Sequence, residues 1–106
     1  MSTNAPFLDD KMNMYLHGRE GGQAVFEFTD YDNNPRDMST ADVYFEVQGF
    51  RKKLTTGDQP YKLVLTIERG ELASFMNKPT DYIIIDETID PPHIIVEARL
   101  SVTGWN

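Results

Sequence analysis

The chain has 106 residues, enough for one compact domain and too few for two ordinary ones. With no Cys, it excludes disulfide scaffolds, thiolate zinc sites, iron–sulfur centres and cysteine nucleophiles. Its 17 acidic and 10 basic residues leave a net charge of −7, which argues against a nucleic-acid partner because a phosphate backbone needs a dense Lys/Arg surface.

Residues 1–8 are mostly polar and lack the basic start and apolar centre of a signal peptide. Phe7 and Leu8 show no strand periodicity, so this stretch reads either as a frayed end or as an arm that orders against a neighbour. Residues 9–106 then read as a single domain. From there a period of two dominates. Met12, Met14 and Leu16 alternate with polar residues in a first strand that Gly21-Gly22 ends. Ala24, Phe26 and Phe28 mark a second strand, and Val43, Phe45 and Val47 a third. Residues 50–56, with Arg51-Lys52-Lys53, read as a short exposed strand turned by Gly57-Asp58-Gln59-Pro60.

Leu63, Leu65 and Ile67 alternate through the clearest strand, which starts at Tyr61. Leu72, Phe75 and Met76 have helical spacing, which predicts one short helix within residues 71–78, stopped by Pro79. A strand over residues 81–88 centres on Ile83-Ile84-Ile85, whose β-branching suits a pleated sheet. That aliphatic run is far short of the ~20 residues of a membrane span, so the expectation is a soluble chain made in a cytosol, with no membrane partner. After Pro91-Pro92, a last strand alternates Ile94, Val96, Ala98, Leu100 and Val102. The fold class is all-β: about seven short strands in a β-sandwich, immunoglobulin-like or a small barrel.

Between the second and third strands runs Phe26-Glu27-Phe28-Thr29-Asp30-Tyr31-Asp32-Asn33-Asn34-Pro35-Arg36-Asp37-Met38-Ser39-Thr40-Ala41-Asp42-Val43. Asp and Asn here satisfy local backbone N–H groups, Pro fixes a turn, and Met38 returns to the core. The segment resembles a pattern of small β-sandwich structural proteins of tailed-bacteriophage virions, F-x-F-T-D-x-D-G-N-P-x-D-L-T-G-A-x-V. Baseplate upper proteins, in their N-terminal domain, and tail-fibre-associated proteins carry it. Two glycines of the pattern are replaced, by Asn33 and Thr40. Asn33 tolerates a left-handed turn; Thr40 does so poorly, so the second turn is expected to differ. Residues 61–67, the helical turn and the strand carrying Tyr82 and Asp86 are similar to that family's second half.

The resemblance implies a non-enzymatic structural subunit of a virion, made in the host cytoplasm and placed in the tail, baseplate or fibre-attachment region. Its partners would be other virion structural proteins, met in several copies through symmetric contacts. A capsid decoration or cement protein is the alternative within virions. A soluble module binding a glycan or host surface group, through Tyr44 and the loop of residues 31–34, is the alternative outside them. On residue type, the interface candidates are Phe7, Leu8, Tyr15, Tyr44, Phe50, Tyr61 and Trp105, with Arg51, Lys52 and Lys53 as a basic run. That run either docks on an acidic neighbour or protects an edge strand. Trp105 either folds back on the sandwich or enters a partner.

Asp30, Asp32 and Asn34 have the spacing of a calcium loop. However, the glycine that such a loop needs is Pro35, and the closing bidentate Glu is Ala41, so a capped turn is the reading preferred. His17 and His93 stand far apart in sequence, without metal-ligand neighbours. Ser39, Ser74 and Ser101 lack a nucleophile-elbow context, and no glycine loop precedes a helix to cradle a phosphate. The expectation is therefore no catalytic residue and no cofactor.

Overall fold

The computed structural model describes residues 7–17, 20–30 and 32–103. Nine strands run in the order β1 (Phe7–Leu8), β2 (Met14–His17), β3 (Gly22–Glu27), β4 (Val43–Val47), β5 (Phe50–Lys53), β6 (Thr55–Thr56), β7 (Lys62–Ile67), β8 (Thr80–Asp86) and β9 (His93–Thr103). They form a six-stranded sheet, ordered β1-β2-β9-β8-β4-β5, and a three-stranded sheet, ordered β3-β7-β6. Every neighbouring pair is antiparallel except β2 and β9, which run parallel. The fold is an all-β sandwich.

Alternation builds its core. On β4, Val43, Phe45 and Val47 are buried; on β7, Leu63, Leu65 and Ile67; on β3, Ala24 and Phe26. These meet Met14 and Leu16 of β2, Ile84 and Tyr82 of β8, and Leu100 and Val102 of β9 in one continuous cluster. Met38 joins it from the long β3–β4 connection, as its position in the sequence predicts.

Four elements differ from the sequence reading. The strand expected over residues 50–56 is two strands in two sheets: β5 pairs with β4, whereas β6 pairs with β7. Leu54, between them, is buried and marks where the chain passes from one layer to the other. The helix expected within residues 71–78 is a single 3-10 turn, Ala73–Phe75. Gly70 and Asn77, both at positive φ, stand on either side of it and leave no room for an α-helix. Residues at i and i+3 eclipse on a 3-10 turn, which is why Leu72 and Phe75 share one buried side. The first strand starts at Met14 because Met12 has φ +66, inside a turn.

The fourth difference is in β9. Its register with β8 shifts between Ile84 and Ile85, so Ile84 faces Val96 and Ile85 faces Ile94. Ile95 is the extra residue of a bulge, and everything before it changes face. Ile94, expected inward, is therefore 48% exposed.

Tyr82 fastens the two ends of the chain together. Its ring packs on Phe45 with centroids 5.3 Å apart, and its hydroxyl donates to the Met12 carbonyl. Burial, with the Asp9 charge adding to it, pushes its phenol up to about 12. The folded chain thus keeps this proton to about pH 12, while the unfolded chain releases it near the ordinary value of about 10. Above pH 10 the unfolded state binds fewer protons, so this contribution is complete below pH 10 and disappears as pH rises through 12. Urea titrations should show the stability gap between the native chain and Tyr82→Phe narrowing across that window.

Candidate interaction surface

The β3–β4 connection uses its acidic residues on itself. Asp30 Oδ1 accepts the N–H of Asp32 at 2.8 Å and that of Asn34 at 3.0 Å, while Asn33 sits at φ +63. Asn33 thus takes the left-handed position that the glycine of the pattern would hold. Thr40 is not among the positive-φ residues, so the second turn departs from the pattern. Asp37 Oδ1 accepts both the hydroxyl and the N–H of Ser39, and these bonds hold its carboxyl below the usual value. Among the described residues, no three His, Asp or Glu side chains are grouped to hold a metal ion.

His17 and His93 lie at opposite ends of β9: His17 faces Thr103, and His93 is the strand's first residue. A strand of this length keeps them on the order of 30 Å apart. Among the described residues, no helix is long and apolar enough to cross a membrane.

The outer face of the six-stranded sheet gathers part of the predicted set. Residues opposite one another on neighbouring strands share a face, so register assigns it. One row runs Lys53, Tyr44, Ile85, Ile94; the next runs Arg51, Glu46, Ile83, Glu97. Asp81 and Arg99 form a third, with their charged atoms 3.7 Å apart. Thus β5, β4, β8 and β9 present a strip of isoleucines and one tyrosine with charges around it.

Those charges are paired. Arg51 lies 3.8 Å above the Tyr44 ring, donates to Glu46 at 2.9 Å and contacts Glu87. The hydrogen bond to Glu87 is the main cause that raises its pKa. Lys53 reaches Asp42 at 2.9 Å, which raises its pKa in the same way. The basic run is therefore divided by strand alternation: Arg51 and Lys53 face outward, and Lys52 turns to the other side. There Lys52 meets both carboxylate oxygens of Glu71, at 2.8 and 3.0 Å, and ties β5 to the segment before the 3-10 turn.

The other candidates fall elsewhere. Phe50 packs edge-on against Phe45, with centroids 6.2 Å apart, and belongs to the margin of the core. Tyr61 is half-buried before β7, where its carbonyl accepts the Phe28 N–H. Tyr15 is 43% exposed on the outer face of β2, opposite Ser101. Phe7 and Leu8, assigned to the arm by sequence, pair with Tyr15 and Met14. Trp105 and residues 1–6 lie outside the described residues.

Ile83, Ile85 and Ile94 are the residues that the sequence reading did not place on a surface. A signal for two of them was present. Three consecutive isoleucines on a strand place apolar side chains on both faces, and only one face can belong to this sandwich's core. Ile94 carried no such signal, because the bulge reverses it. No family model matches the chain, and no curated protein or solved structure matches it either.

Proposed function

We propose that this chain is a non-enzymatic structural subunit of a tailed-bacteriophage virion, in the tail, baseplate or fibre-attachment region. It acts by repeated protein–protein contact. The observation that carries this reading is the segment from Phe26 to Val43, where residue types match the virion pattern in register. Its turn chemistry fits as well: Asp30 caps the first turn, Asn33 takes the left-handed position, and Met38 anchors the return.

The outer face of the large sheet supports an assembly role. It is apolar along Tyr44, Ile85 and Ile94 and carries charges of both signs in fixed pairs, the composition of a surface that recognises protein. A chain with no positioned nucleophile, base and oxyanion donors has this surface as its means of action.

The test is to delete the gene in the source phage and supply either the native chain or Ile94→Lys. At an exposed position the variant should change folding stability by no more than about 0.5 kcal/mol. The native chain restores complete particles, whereas the variant folds but enters them at least about tenfold less, the scale of losing one central interface contact. Complete, infectious particles formed without the chain would contradict the connector role.

A further inference from the structure

The sandwich is open along one side. In the small sheet, β3 is an edge strand; in the large sheet, β2 pairs only with Leu100, Ser101, Val102 and Thr103 of β9, so residues 93–98 lie beyond its reach. Between these two lips lies a cleft of about 530 Å³, lined by Leu8, Met12, Phe26, Phe28, Ile84 and Ile95 among others. Val25 on one lip is 51% exposed, and Ile95 on the other is 36% exposed.

The lips differ as templates for another strand. On β9, the bulge at Ile95 and the preceding Pro91-Pro92 interrupt the edge, two devices that guard against strand pairing. By contrast, β3 pairs with β7 in unbroken register from Gly22 to Glu27 and contains neither bulge nor proline. Among the described residues, its backbone bonds only to β7, so its second edge presents unpaired N–H and C=O groups beside an apolar cleft. A straight edge of this kind is a template for a further strand.

Charge and composition define the occupant. Glu27 stands at the cleft on one lip and Glu97 follows Val96 on the other, while no Lys or Arg lines it. A second copy of this chain does not fit, because the apolar side chains of each core strand are already committed to their own core. Nor does residues 1–6 or 104–106 contain an alternating apolar stretch. We propose that the cleft takes an extended, basic strand of a different protein. It hydrogen-bonds to the free edge of β3 and inserts alternate apolar side chains over Phe26, Phe28 and Ile84. The inference is independent of the virion reading.

The probe is a synthetic peptide, Lys-Val-Lys-Val-Thr-Val-Lys-Val-Lys, added to the full chain while backbone amide exchange is followed by NMR. Amides of β3 that exchange fast in the free chain should become protected on saturation. Ile95→Lys should weaken binding at least about tenfold, as should Glu in place of each Lys of the peptide, since both remove complementarity at the cleft. Ile89→Lys, exposed on the β8–β9 connection, should bind as the native chain does. Unchanged β3 exchange at millimolar peptide would overturn the proposal, and so would binding that Ile95→Lys leaves intact. Protection of β3 that grows with protein concentration alone would overturn it in favour of a second copy.

Discussion

Phe45→Ala should destabilise the fold by about 3–5 kcal/mol, the cost of emptying a large aromatic site in a close-packed core. Phe45 is fully buried at the centre of β4 and contacts the rings of Tyr82 and Phe50. Its neighbours belong to strands fixed by hydrogen bonding on either side, β8 and β5, so the cavity cannot close by moving one of them. Domains of this size have total stabilities of roughly 5–15 kcal/mol, so a third or more of the margin disappears. Equilibrium urea unfolding reads it directly: the midpoint falls while the slope stays that of the native chain. A loss under about 1 kcal/mol would mean that the sheet relaxes around Phe45 far more than these contacts allow.

Gly21→Ala should cost about 2–5 kcal/mol, for two separable reasons. Gly21 has φ +68, where a side chain is strained, and an added Cβ would stand 2.4 Å from the Ile67 carbonyl oxygen and 2.9 Å from the Arg69 nitrogen. Both obstacles are backbone, at the end of β7 beside the start of β3, so neither can rotate away. Gly49 is the internal control. It has φ +88 in the β4–β5 turn with nothing within 4 Å of an added Cβ, so Gly49→Ala bears the strain alone, about 1–2 kcal/mol. The difference between the two urea midpoints isolates the clash, and equal losses at both sites would contradict the close approach at Gly21.

Much of this fold was legible because burial repeats every second residue. Val43, Phe45 and Val47, or Leu63, Leu65 and Ile67, announce both a strand and its inner face. What periodicity does not encode is the partner. Phe50, Lys52 and Leu54 continue one alternation without a break, yet β5 and β6 pair in different sheets. Nothing local marks the change, because it is set by which strand lies alongside. For the same reason Phe7–Leu8 was illegible: two residues are too few for a period, and their pairing with β2 is a tertiary fact.

The candidate surface was legible in part. Tyr44, Arg51 and Lys53 were chosen on residue type, and β4–β5 register puts them on one face. Ile94 was not legible there, since the alternation of β9 points it inward until the bulge at Ile95 is known. Lys52 and Phe50 were selected with their neighbours but point away from that face, and in a strand adjacent residues must. The acidic loop was legible as turn chemistry, because Asp and Asn two residues apart bond their own backbone wherever they occur.

The central claim is that this chain is built into a phage particle. The most direct measurement is to purify particles from the source lysate, identify their proteins by mass spectrometry and map their density. The account predicts the chain at stoichiometric copy number, as a sandwich repeated at one symmetric position of the tail or baseplate. Particles that lack it, from a lysate in which the chain is abundant, would contradict the claim.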